Sequence, residues 1–122
     1  TGPISISTTG YTDLAGFSLT TPNDGITREY LILFHCNQQV SNGSTVSYGT
    51  YKAYNFTDTV DIQYTEAGKA GGASGDNYVD SISIMDTVTI GPNKDIRIDG
   101  KYTGSNVSIA NVVFKLIAIR TY

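Results

Sequence analysis

Cysteine and histidine, a nucleophile and a base, occur once each in this chain, and they are neighbours: His35 and Cys36. A cysteine nucleophile needs its base within hydrogen-bond reach, so both side chains must share a face. The pair lies inside REYLILFHCNQQV, Arg28 to Val40, in which Tyr30 to Cys36 bear no formal charge. Adjacent residues of a strand point to opposite faces, so the two cannot act together. A free cysteine in an apolar strand behaves as a small hydrophobe, and Cys36 is read as structural. A single histidine also leaves no catalytic triad and no zinc constellation.

Carboxylates are the next candidates. Asp58 with Asp61, and Asp76 with Asp80, are spaced to approach each other at strand ends. Paired acids hydrolyse glycosides when apolar surroundings raise one pKa. Neither pair has such neighbours in sequence, so solvated strand-end acids are expected, no catalytic residue is assigned, and the chain reads as a non-enzyme without cofactor. Asp76, Asn77 and Asp80 also offer the oxygen ligands that calcium takes. They match no EF-hand spacing, and turn capping is the commoner role of such groups.

Tyrosine carries the remaining chemistry. A flat apolar ring with a hydroxyl suits sugars and protein partners alike. Tyr48, Tyr51 and Tyr54 fall in one polar segment, and Tyr78 closes a glycine-rich one. In a regular strand Tyr48 and Tyr54 share a face and Tyr51 opposes them, so at least one ring belongs to the core. The candidate ligand-binding residues are Tyr48, Tyr51, Tyr54, Asp76, Asn77 and Tyr78. Asn42, Asn55 and Asn106 head Asn-X-Ser/Thr triplets, which matter only in a secreted eukaryotic or eukaryote-virus protein.

These residues must be positioned by strands. The 122 residues include thirteen glycines, nine tyrosines and no tryptophan, with a net charge of −3. That is the composition of one β domain spanning 1–122, without the basic patch that nucleic acid binding needs and with no membrane-inserting segment. No 3.6-residue periodicity persists, so no helix is expected. About eight short strands are predicted, punctuated by turns at PNDG (Pro22 to Gly25), SNGS (Ser41 to Ser44), GPNK (Gly91 to Lys94) and TGSN (Thr103 to Asn106). Gly16 suggests a bulge and Gly49 a break. Thr59 to Thr65 reads as a strand with Val60, Ile62 and Tyr64 on one face, and Glu66 to Asn77 as a loop. Tyr78 to Ile90 and Asp95 to Tyr102 alternate cleanly.

Two strands differ from the rest. Arg28 to Val40 and Val107 to Tyr122 are apolar on both faces. A strand greasy on both sides is covered on both sides, so one sheet of a two-layer sandwich has its outer face against another subunit or domain. The expected interface residues are Leu31, Leu33, His35, Val113, Ile117 and Ile119.

The order of YTDLAGFSLTT, REYLILFHC, VTIGPNKDIRIDGKY and NVVFKLIAI along nearly the whole chain resembles the jelly-roll heads of the tumour-necrosis-factor and complement-globular-head superfamily. The likeness is closest to the small trimeric heads at the tips of phage and viral fibres, although the Gly-aromatic signature of the animal members is incomplete. The resemblance implies an all-β jelly-roll β-sandwich of eight to ten antiparallel strands, forming a homotrimer at a virion surface or outside cells. It implies attachment to a cell-surface glycan or protein receptor. A purely structural fibre-tip or capsid decoration domain, and a free-standing lectin or carbohydrate-binding module, are the alternative readings. The chain is equally readable as one domain of a longer fibre protein.

Overall fold

Tyr30, Ile32, Phe34 and Cys36 are buried, and the intervening Leu31, Leu33 and His35 are only half-buried, so the central stretch alternates as a strand should. The computed structural model describes residues 4–6, 10–40, 48–62, 67–70, 78–104 and 107–122. The described residues form nine strands and no helix: β1 (Ile4–Ser5), β2 (Thr12–Thr20), β3 (Arg28–Val40), β4 (Tyr48–Asn55), β5 (Val60–Asp61), β6 (Ala67–Ala70), β7 (Tyr78–Ile90), β8 (Asp95–Thr103) and β9 (Val107–Thr121).

They make two antiparallel sheets, one of four strands in the order β1-β9-β3-β7 and one of five, β2-β8-β4-β5 with β6 also on β4. The pairings nest: β1 with β9, β2 with β8, β3 with β7 and β4 with β6. Every connection from β1 to β4 and from β6 to β9 passes between the sheets. The fold is therefore an all-β sandwich.

The core lies between the sheets. Ile32, Phe34, Cys36, Ile82, Ile84 and Ile109 come from one side, and Leu14, Tyr51, Ala53, Ile96 and Ile98 from the other. Phe34 and Tyr51 meet across the layers with ring centroids 5.9 Å apart. Each such buried aliphatic or aromatic side chain stabilises the fold by about 1.5–3 kcal/mol relative to exposure. A polar side chain is buried among them. Gln38 on β3 uses its Oε1 to accept hydrogen bonds from Gly49 N–H at 2.8 Å and Tyr51 O–H at 2.6 Å, both on β4.

Two turns are tied to each other at one end of the sandwich. Asp24 Oδ1 accepts from Ile26 N–H at 3.1 Å, and Gly25 takes the positive φ of 74° that the PNDG turn requires. The buried Thr21 hydroxyl then donates to Gly91 O at 2.8 Å and accepts from Lys94 N–H at 2.9 Å, joining this turn to the GPNK turn.

Several expectations need correction. Gly49 does not break its strand: β4 runs through it, because only a residue without Cβ fits beside Tyr51 and Gln38. Of the strand expected at Thr59 to Thr65, residues 63–65 lie outside the described residues, and the rest holds β5 at Val60–Asp61, with Val60 exposed and Ile62 buried just beyond. The expected glycine loop contains a strand, β6, paired to Tyr48–Tyr51; residues 71–77 lie outside the described residues. The SNGS turn lies there too. Gly16 falls within a shift of register between Asp13 and Ser18, as a bulge requires.

β9 has two irregularities of its own. Its register against β3 shifts between His35 and Asn37, where Asn111 adopts φ 54°, and again next to Glu29 and Tyr30, where Ile119 is the extra residue. The first reverses the alternation. Val107 and Ile109 point into the core before it, and Val112, Phe114 and Leu116 pack against the core after it.

A Cβ on Gly49 would collide with the Tyr51 hydroxyl and stand 2.8 Å from Gln38 Oε1. Gly49→Ala is therefore expected to destabilise the fold by about 1–3 kcal/mol, as overpacking does. Equilibrium urea denaturation measures this, and an unchanged midpoint would show that the contact relaxes freely.

Candidate functional site

β4 alternates strictly, and this decides which tyrosines reach the surface. Gly49, Tyr51 and Ala53 face the core, whereas Tyr48, Thr50, Lys52 and Tyr54 face outward from the five-stranded sheet. Tyr51 is 0% exposed, and burial pushes its phenol pKa up, with Cys36 adding to the shift. A ring in that position has no surface to offer a ligand. Asp76 and Asn77 lie outside the described residues. Tyr78 opens β7, and its side chain lies outside them as well.

The register of β8 against β4 sets Tyr54 opposite Arg97, Lys52 opposite Asp99 and Thr50 opposite Lys101. Around this lattice, rings and cations interleave. Lys52 Nζ lies 4.2 Å from the Tyr11 ring centre and 5.5 Å from that of Tyr54. Lys101 Nζ lies 4.3 Å from the same Tyr11 ring, and the Arg97 guanidinium carbon 3.5 Å from that of Phe56. All are inside the ~6 Å range of cation–π attraction. Carboxylates complete the lattice: Asp61 takes Lys52 at 2.7 Å, and Asp95 takes Arg97 at 2.9 Å. Tyr48 and Tyr54 were legible from alternation. Tyr11, Lys52, Phe56, Arg97 and Lys101 were missed, since only the pairing of strands about forty residues apart brings them together.

Of the acids singled out from sequence, Asp58 and Asp61 are paired with lysines. Asp58 receives Lys94 Nζ at 2.8 Å and Asn55 Nδ2 at 3.0 Å, and the Lys94 hydrogen bond holds its carboxyl below the usual range. A carboxyl with lowered pKa is a poor proton donor at neutral pH. Asp58 and Asp61 both line a cleft of about 560 Å³ between β5 and β7, with Ile62, Val88 and Ile90 as its apolar wall and Asp86 at its side. A second cavity, about 390 Å³, lies between the end of β2 and the end of β9, against Arg28 and Tyr30. Asp80 sits opposite Gln38 on β7, and among the described residues no three His, Cys, Asp or Glu side chains come together to hold a metal. The Asn55 amide is committed to Asp58 through both its nitrogen and its oxygen, so glycosylation there would break the β4–β5 corner.

His35 and Cys36 part as alternation requires. Cys36 is fully buried, which raises its thiol pKa to about 12 and keeps it protonated and inert. His35 Nδ1 lies 3.1 Å from Ser83 Oγ on the outer face of the four-stranded sheet. There β3 presents Leu31 and Leu33 in register with Ile117 and Lys115 of β9 and with Thr87 and Met85 of β7. Val113, Ile117 and Ile119 are exposed, and Met85 is 70% exposed. The two outer faces thus contrast, one apolar and the other an aromatic and ionic lattice. The chain matches no protein-family model and no curated protein.

Asp24 and Asp58 both titrate below the usual carboxylate range because Arg28 and Lys94 hydrogen-bond their charged forms. A depressed folded pKa contributes stability above the unfolded value of about 3.9 and loses it as pH falls through the folded value. Asp58→Asn is therefore expected to lower the melting temperature at pH 6 and to leave it nearly unchanged at pH 2. Melting curves across that range test it; equal losses at both ends would remove the ion pair from the account.

Proposed function

We propose that this chain is a non-enzymatic attachment head, a jelly roll that assembles as a homotrimer on a phage or viral fibre or capsid. It holds a cell-surface glycan or protein, at a virion surface or otherwise outside cells. The observation that carries the proposal is the uncovered apolar face of the four-stranded sheet, where Leu31, Leu33, Met85, Val113, Ile117 and Ile119 gather around β3 and β9. Contiguous apolar surface of this kind marks an interaction site, and its central position on a sheet suits a subunit interface.

The nested pairing of β1 to β9 supports the jelly-roll reading, since rolling a long hairpin into two layers produces this order. Charge placement supports assembly. Lys115 stands amid the apolar residues on a long aliphatic stem, and Arg120 lies 3.7 Å from Glu29 at the end of the face. The opposite sheet supports attachment, because Tyr48 and Tyr54 on its outer face stay uncovered when the apolar face is covered. The Asp58 carboxyl, held below the usual range by Lys94, and the inert Cys36 support a binding role over catalysis.

Light scattering over a range of concentrations tests the assembly. A stable mass three times that of the chain is expected, and Ile117→Asp, at a position facing Leu31, should weaken association at least a hundredfold by burying a charge against an apolar neighbour. A clean monomer at every concentration would overturn the trimer and assign the apolar face to another domain.

A further inference from the structure

The two ends of the chemistry on the five-stranded sheet, rings and charges, point to one class of ligand. We propose that the outer face of β4 and β8 binds a linear, uncharged glycan laid along β4 between Tyr48 and Phe56, with Tyr54 and Phe56 as its stacking platform. This rests on the attachment-head reading above and names the ligand and its location.

Charge closure selects the ligand. Among the described residues the face presents the cations Lys52, Arg97 and Lys101 and the carboxylates Asp61 and Asp95, while Asp99, in register with Lys52, is buried. Lys52 already lies 2.7 Å from Asp61, and Arg97 lies 2.9 Å from Asp95. An acidic sugar or sulfated chain would have to compete with these carboxylates for the cations. A neutral sugar has no such conflict: its hydroxyls donate to carboxylates and accept from ammonium and guanidinium groups that are already held in place, so little further ordering is needed on binding.

Ring placement gives the direction. Tyr11 is taken up by Lys52 and Lys101 and serves to hold them. Phe56, 48% exposed, is stacked on Arg97, which stands opposite Tyr54, so these two rings flank one guanidinium. Tyr48 and Tyr54 are six residues apart on the same face, which is about 20 Å along a strand. That length accommodates several sugar units in a row. A sugar's C–H faces pack on aromatic rings while its edge reaches the polar groups between them.

Binding to an array of neutral, sialylated and sulfated glycans tests this with three proteins: the unmodified chain, the Tyr54→Ala/Phe56→Ala double variant and Thr50→Glu. Thr50 lies on the same face, between Tyr48 and Lys52, and adds only a charged side chain, so it carries the test if the double variant melts early. The expected result is retention of neutral linear glycans and at least a tenfold weaker half-saturation in the variants. Binding confined to sialylated or sulfated glycans would overturn the inference. Neutral-glycan binding unchanged in both variants would overturn it too, while leaving a glycan-binding head with its site elsewhere. Binding to no glycan would overturn it together with the glycan arm of the proposed function, whereas the trimer stands or falls separately on its mass.

Discussion

One buried oxygen holds the two layers in register. Gln38 Oε1 is shared by the Gly49 amide and the Tyr51 hydroxyl, and it is the point at which the central strand of the four-stranded sheet is hydrogen-bonded to the inner strand of the other. A hydrophobic core tolerates sliding, since one apolar contact replaces another. A buried amide does not, because a slip would leave donors without partners at about 1–3 kcal/mol each. Once Gln38 is placed, the alternation of β3 is fixed, and β3 pairs along its length with both β7 and β9. A one-residue slip would turn the apolar outer face inward.

That constraint explains which parts of the fold could be read from sequence. β3 and β7 alternate without interruption, so their core residues and their boundaries were legible. In β8 the alternation lapses at Ile98, Asp99 and Gly100, which are all buried although Asp99 was expected to face outward. The faces of β9 were legible only beyond Asn111, because a residue at φ 54° reverses the alternation and nothing in the hydrophobic pattern marks it. β6 had no signal at all: Ala67 to Ala70 are extended because Tyr48–Tyr51 pair with them. Gly49 misled for a related reason. Glycine usually weakens a strand, yet here the space its missing side chain leaves is filled by Tyr51 and Gln38.

The candidate site was half legible for the same reason. Parity within β4 separates Tyr48 and Tyr54 from Tyr51 with no structure needed. Parity cannot say that Arg97 lies opposite Tyr54, or that Tyr11 lies beneath two lysines. The ion pairs so formed are at the surface, where each contributes only about 0–1 kcal/mol. Their effect is on order more than on stability: long side chains that would otherwise sample many rotamers are held between a ring and a carboxylate.

The two bulges of β9 bear on the form that any assembly can take. On the side away from β3, the described pairing of β9 is with β1, at Ser108 and Ile109, next to which the Ile6 N–H donates to Val107 O. A long, flat, apolar edge invites strand-on-strand growth without limit, the route to filaments. Here the kinks at Asn111 and Ile119, with Lys115 and Arg120 nearby, spoil the regular spacing that a further strand would need. In the assembly proposed above, association would thereby be steered from the edge to the face, and contact through faces can close on itself into a particle of finite size.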